Sequence, residues 1–100
     1  MPTPPNSPYF APPLALRTAS DRVSRRTSHD QLTAMPPAQT EATCTTILRD
    51  ECPEIFGMIR YHLLNHVPPR AMRLAVQAAG GSPLLASMIE TAACAEVGRR

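Results

Sequence analysis

The sequence predicts a mostly α-helical fold: a disordered, proline-rich N-terminal arm over residues 1–40, then a small module of three, or four, helices over residues 41–100. Three observations lead there. Eight of the 12 prolines fall before residue 38. From residue 53 onward, apolar residues recur at three- and four-residue spacing, the period of a helix with one buried face. Ser, Pro and Gly then sit at the ends of those periodic runs, where helix starts and stops belong.

The arm begins MPTPPNSPYFAPPLAL. Each proline removes a backbone donor and restricts the residue before it, which favours extended polyproline-type conformations. Pro2, Pro5 and Pro8 carry a PxxP spacing of the kind that aromatic-lined grooves take. The next stretch, LRTASDRVSRRTSHD, is basic and hydroxyl-rich. Arg25-Arg26-Thr27-Ser28 has the form of a basophilic phosphorylation site, with Ser28 the acceptor. Arg17-Thr18-Ala19-Ser20 is a weaker match, and Thr3-Pro4 and Ser7-Pro8 are minimal proline-directed ones. A phosphate would bring roughly −1.5 to −2 charge to this segment. Leu14 to Ser28 also has the Arg-, Ser- and Ala-rich composition of part of a mitochondrial transit peptide.

Residues 41–50 (EATCTTILRD) read two ways. Four threonines between Thr40 and Thr46 lower helix propensity, while Ile47 and Leu48 call for burial; a short helix is expected, with a strand as the alternative. A helix over about 53–67 follows. Pro53 suits its first turn, Asp50 or Cys52 its N-cap, and Ile55, Ile59, Leu63 and Val67 with Phe56 form its stripe. Gly57 weakens it by about 1 kcal/mol relative to Ala, or serves a close helix contact. Pro68-Pro69 stops it. A second helix, about 70–79, puts Met72, Ala75, Val76 and Ala79 on one face and ends at Gly80. A third, about 83–97, starts at Ser82-Pro83, buries Leu85, Met88, Ile89 and Ala92, and ends at Gly98.

Composition limits function. Hydrophobic residues are 43% of the chain but aromatic ones only 4%. Three short helices built from small aliphatic residues make a thin core, marginal without help from a metal, a disulfide or association. The net charge of +2 divides evenly, five Arg against four acids in each half. Nucleic-acid binding calls for a basic stripe, and only Arg17–Arg26 approaches one. Every Lys/Arg position is Arg, which points to a compositional bias in the coding sequence. With the absent Lys and Trp, it also suits an overlapping or recently emerged reading frame. The longest uncharged stretch, Leu74–Ile89, is broken by glycines and a proline and falls short of the roughly 20 residues a membrane span needs.

Three cysteines, Cys44, Cys52 and Cys94, form no disulfide framework, and no basic secretory leader is visible. Free thiols in an intracellular setting are expected. His62 and His66 lie four apart and could share a metal with Cys44 and Cys52, although the cysteine spacing is not the usual zinc one. Cys52 with His62 is the one conceivable nucleophile–base pair. Glu51 and Glu54 suit a helix start without any catalytic role. No catalytic residue, cofactor or metal is assigned, and the chain is read as non-enzymatic.

Glu54-Ile55-Phe56, Ile59, Leu63-Leu64, Pro68-Pro69 and Leu74-Ala75-Val76 together resemble the dimerisation and docking module of the regulatory subunit of cAMP-dependent protein kinase. That resemblance implies two helices joined at a Pro-Pro, an antiparallel four-helix dimer and a bound amphipathic helix. Arg70 departs from it, standing where an acid is usual, as does the early stop at Gly80-Gly81. The stretch AMRLAVQAAGGSPLLASMI resembles the opening of Cro-type helix-turn-helix proteins, but Glu90-Thr91-Ala92-Ala93 lacks the Gly-centred turn that should follow. The favoured expectation is a protein-interaction or regulatory module that self-associates or grips a partner helix. Its expected partner-binding face is Ile55, Phe56, Ile59, Leu63, Met72, Val76, Leu85 and Ile89, and its arm is a flexible tether. A nucleic-acid-binding helix-turn-helix-like protein and a zinc-stabilised module are the alternatives.

Overall fold

Every described helix longer than five residues begins on a proline. The computed structural model describes residues 9–98. Among them are six helices and no strand: α1 (Pro13–Ser24), α2 (His29–Thr33), α3 (Pro37–Glu51), α4 (Pro53–Leu64), α5 (Pro69–Ala78) and α6 (Pro83–Gly98). Proline's fixed φ suits the first helical position, and its missing N–H would have no partner there anyway. The prolines at 13 and 37 thus start helices, as those at 53, 69 and 83 do.

The expected arm is corrected by this. Residues 9–40 carry α1, α2 and the start of α3, and they are packed. Within α1, Leu16, Ala19 and Val23 lie on one face at i, i+3 and i+7 and are buried, with Phe10 and Ala11 ahead of them. Burying one Leu or Val side chain fully stabilises by about 1.5–3 kcal/mol, so α1 and its leader add substantially to a small core. The Cα radius of gyration, 12.7 Å, is near the ~13 Å of a compact 100-residue domain, which leaves no room for a trailing segment of thirty residues. Pro2, Pro5 and Pro8, with Thr3-Pro4 and Ser7-Pro8, lie outside the described residues.

α6 is the hub. It packs on α5, α3, α4 and α1. Leu85, Ala86, Met88, Ile89, Ala92, Ala93 and Ala95 are all buried, so it is apolar over most of its circumference, as a central helix must be. The ambiguous stretch 41–50 is helix: α3 buries Cys44, Thr45, Ile47 and Leu48. Packing against α6 outweighs the weak helix propensity of its threonines.

Polar contacts tie α1 to this hub. Ser82 N–H donates to Ser20 Oγ at 3.0 Å, joining α1 to the start of α6, and Ser20 Oγ–H donates to Leu16 O at 2.7 Å. Arg22 donates to the Glu51 carbonyl at 2.9 Å, satisfying one of the terminal carbonyls of α3. Arg26 pairs with the Glu51 carboxylate and approaches Asp50 at 3.9 Å. These ion pairs are partly exposed and contribute about 0–1 kcal/mol each, so apolar burial dominates.

Two turns shape the α4–α5–α6 end. α4 stops at Leu64, earlier than the proline pair implies, through a Schellman turn in which Val67 N–H reaches His62 O at 2.9 Å. His66 occupies its left-handed position at φ 64. α5 closes in the same way, with Gly80 at φ 93 and Gly81 N–H on Val76 O at 2.9 Å. A Cβ on Gly81 would collide with Val76, so this turn requires glycine at both positions.

Candidate functional site

The eight residues expected to face a partner are inside the molecule. Ile59, Val76, Leu85 and Ile89 are 0% exposed, Ile55 and Met72 1%, Leu63 6% and Phe56 9%. They belong to one continuous core with Leu16, Ala19 and Val23 of α1. What the sequence presents as an uncovered stripe is buried within one copy, by the packing of α3, α4, α5 and α6 on one another and of α1 on α6, α3 and α4.

His62 and His66 do not converge. His62 is buried on the inner side of α4, stacked on Phe10 (centroids 4.9 Å apart, planes 22°), with its Nε2 3.1 Å from Phe10 O. A carbonyl only accepts, so Nε2 carries the proton and donates, holding the N-terminal segment onto α4. His66 is exposed, outside the helix. Cys44 and Cys52 are buried free thiols, and burial pushes both up to about 11. Among the described residues no group of three or more His, Cys, Asp or Glu is placed to hold a metal ion. The Cys52–His62 pair fares no better. The thiol is held protonated, and the imidazole Nε2 is occupied by Phe10.

Ser28 is exposed, but it is not on a loose tail. Its Oγ accepts from Gln31 N–H at 3.2 Å while Gln31 Oε1 accepts from Ser28 N–H at 3.1 Å, a full capping box on α2. Of the four arginines in the basic stretch, Arg22 and Arg26 are spent on Glu51. No described helix is long and apolar enough to cross a membrane.

Two surface features come forward instead. The first is a trough of about 440 Å³ between the α2–α3 junction and α6, lined by Leu32, Met35 and Pro37 below and by Thr33, Thr40, Glu41, Glu90, Thr91 and Cys94 around it. Burial and the nearby Glu90 and Glu41 carboxylates raise the Cys94 thiol. Glu90 is itself 3.2 Å from Arg73 Nε, an ion pair without an aligned hydrogen bond. The trough is wide and shallow. Its lining residues are scattered along the chain, so no local sequence signal marks it.

The second is the outer arc of α4. With Ile55, Ile59, His62 and Leu63 turned inward, helical geometry turns Gly57, Tyr61 and Leu64 outward at i, i+4 and i+7. Tyr61 is 57% and Leu64 71% exposed. Nothing lies within 4 Å of where a Gly57 Cβ would be, so the helix backbone is bare there. Glu54 and Arg60, both exposed, flank this stripe on either side. Single exposed apolar residues are ordinary. An aligned pair beside an uncovered stretch of helix backbone is less so.

The chain matches no family model, and the comparisons found no significant match among curated proteins or solved structures.

Proposed function

We propose that this chain is a non-enzymatic protein-interaction module, and that the outer arc of α4 is the face it presents. The observation that carries this reading is the alignment of Gly57, Tyr61 and Leu64 on one exposed arc of a helix whose other side is fully committed to the core. An amphipathic helix normally spends its outward arc on charged groups. Here the centre of that arc is a glycine, an aromatic and a leucine, the residue types that let a second helix approach closely and bury area. The inner stripe needs no partner, because it is already buried in the core of one copy.

Amide chemical-shift mapping of the full chain tests this, both at rising protein concentration and in an extract of its own cells. Perturbations should cluster on Gly57, Arg60, Tyr61 and Leu64 and leave α1 and α2 unmoved. Perturbations centred on the trough beside Cys94, or none in either setting, would remove the proposal.

A further inference from the structure

α1 ends at Ser24 and α2 begins at His29, so Arg25-Arg26-Thr27-Ser28 is the whole of the linker between them. Arg25, Arg26 and Ser28 are exposed, and Thr27 between them is buried. Ser28 has extended backbone, with φ −135 and ψ 165. Its Oγ accepts from Gln31 N–H, but its own O–H donates to no described partner. The other hydroxyls of the basic stretch are placed differently. Thr18, Ser20 and Ser24 lie inside α1. The Ser20 hydroxyl is spent on Leu16 O and the Ser24 hydroxyl on Asp21 O at 2.8 Å. Ser28 is therefore the one hydroxyl here that is exposed, outside a helix, and has an unused proton. Two cations precede it, at the third and second positions before the acceptor. Arg25 enters no described ion pair. Arg26 is held by Glu51 and Asp50, in pairs exposed enough to contribute little and to release it easily.

We infer that the α1–α2 linker is a modification site, with Ser28 the phosphoacceptor for a basophilic protein kinase whose cleft holds carboxylates for Arg25 and Arg26. Each guanidinium is a planar fork suited to such a carboxylate. In the transfer, a bond forms between Ser28 Oγ and the γ-phosphorus of ATP as the bond from that phosphorus to its bridging oxygen breaks. ADP leaves, and the hydroxyl proton passes to the catalytic Asp of the kinase. Access requires the Ser28–Gln31 capping box to open. α2 buries a single side chain, Leu32, so the opening is confined to one short helix and leaves the core closed. The product carries roughly −1.5 to −2 charge, enough to cancel Arg25 and Arg26 together. None of these residues is on the α4 arc, so the site stands apart from the interaction face.

The test is incubation of the folded full chain with magnesium ATP and a purified basophilic kinase that requires Arg at the third and second positions before its acceptor. Intact mass and fragmentation then count and place the phosphate. One phosphoryl group per chain should appear, on Ser28. Ser28→Asn keeps a capping side chain on α2 while removing the acceptor, and should take up none. Arg25→Ala removes an exposed side chain with no described partner, so the fold is kept. It should lower kcat/KM at least about tenfold, through the lost charged contact to the kinase. Phosphate placed on Thr18, Ser20, Ser24 or Thr27 instead overturns the inference. So does Ser28→Asn taking up as much as the original, or Arg25→Ala reacting at the original rate. A full chain that takes up none also overturns it, and a peptide of residues 22–32 then says why. Ready uptake by the peptide means that the fold withholds Ser28; none means that the motif itself is not read.

Discussion

A chain carrying Leu16→Asp is expected to lose its folded state at 25 °C. Leu16 is 0% exposed, in a helix that packs against α3, α4 and the central α6. Truncating a buried Leu to Ala costs about 2–5 kcal/mol through lost transfer energy and the cavity left behind. A carboxylate adds the desolvation of a group with no partner in an apolar surround, which costs several kcal/mol more. The sum approaches the roughly 5–15 kcal/mol that hold a domain of this size together. The neighbouring exposed position supplies the control. Thr18→Asp should shift stability by no more than about 0.5 kcal/mol. Urea unfolding followed by circular dichroism separates the cases. If Leu16→Asp unfolds at the same urea concentration as Thr18→Asp, α1 is not part of the core.

The second large effect is in thiol chemistry. Cys94 is exposed, whereas Cys44 and Cys52 are buried with their thiols pushed from 9.0 up to about 11. Only the thiolate attacks an alkylating agent or an aromatic disulfide. Raising a thiol by two pH units lowers its thiolate fraction at pH 8 by ~100-fold, before any restriction on access. One equivalent of reagent should therefore react first and two far more slowly, because Cys94 is exposed and the other two are both buried and held protonated. The slow pair should accelerate as pH climbs toward the raised value, because deprotonation sets in only there. In urea all three thiols should react alike. Three equivalents reacting together under native conditions would show that the α3–α4 corner is open.

The origin of the sequence's misleading parts is physical. Pro53, Pro69 and Pro83 are legible as helix starts because each is followed at once by an apolar stripe. Pro13 obeys the same rule, and Leu16, Ala19 and Val23 supply the stripe, but Pro2 to Pro12 and the arginines around it give the segment the composition of a tail. Between Pro13 and Pro36 there is no proline, which is room enough for two helices. Setting α1 outside the fold then makes the inner stripe of α4 and α6 look uncovered. With α1 in place the stripe is part of one core buried within a single copy. α3 was ambiguous for a different reason. Local propensity is a weak prior, and burial of Ile47 and Leu48 decides the outcome.

The histidines show the limit of spacing arguments. Four residues apart, His62 and His66 would share a face if the helix continued, but the Schellman turn ends it at Leu64 and throws His66 into the left-handed region. Phe10, fifty-two positions away, then takes the ring that a metal would have needed. The outer α4 arc was readable as an i, i+4, i+7 pattern. Nothing local says which arc of a helix faces out until the other elements are placed.

Native-state hydrogen exchange measured amide by amide tests most directly whether the N-terminal segment completes the core of a single copy. If it does, the amides from Leu16 to Val23 open only with the whole molecule and are as protected as those from Leu85 to Ala93 at the heart of α6. Exchange of Leu16–Val23 at the rate of an unstructured peptide, beside a protected α6, would contradict it.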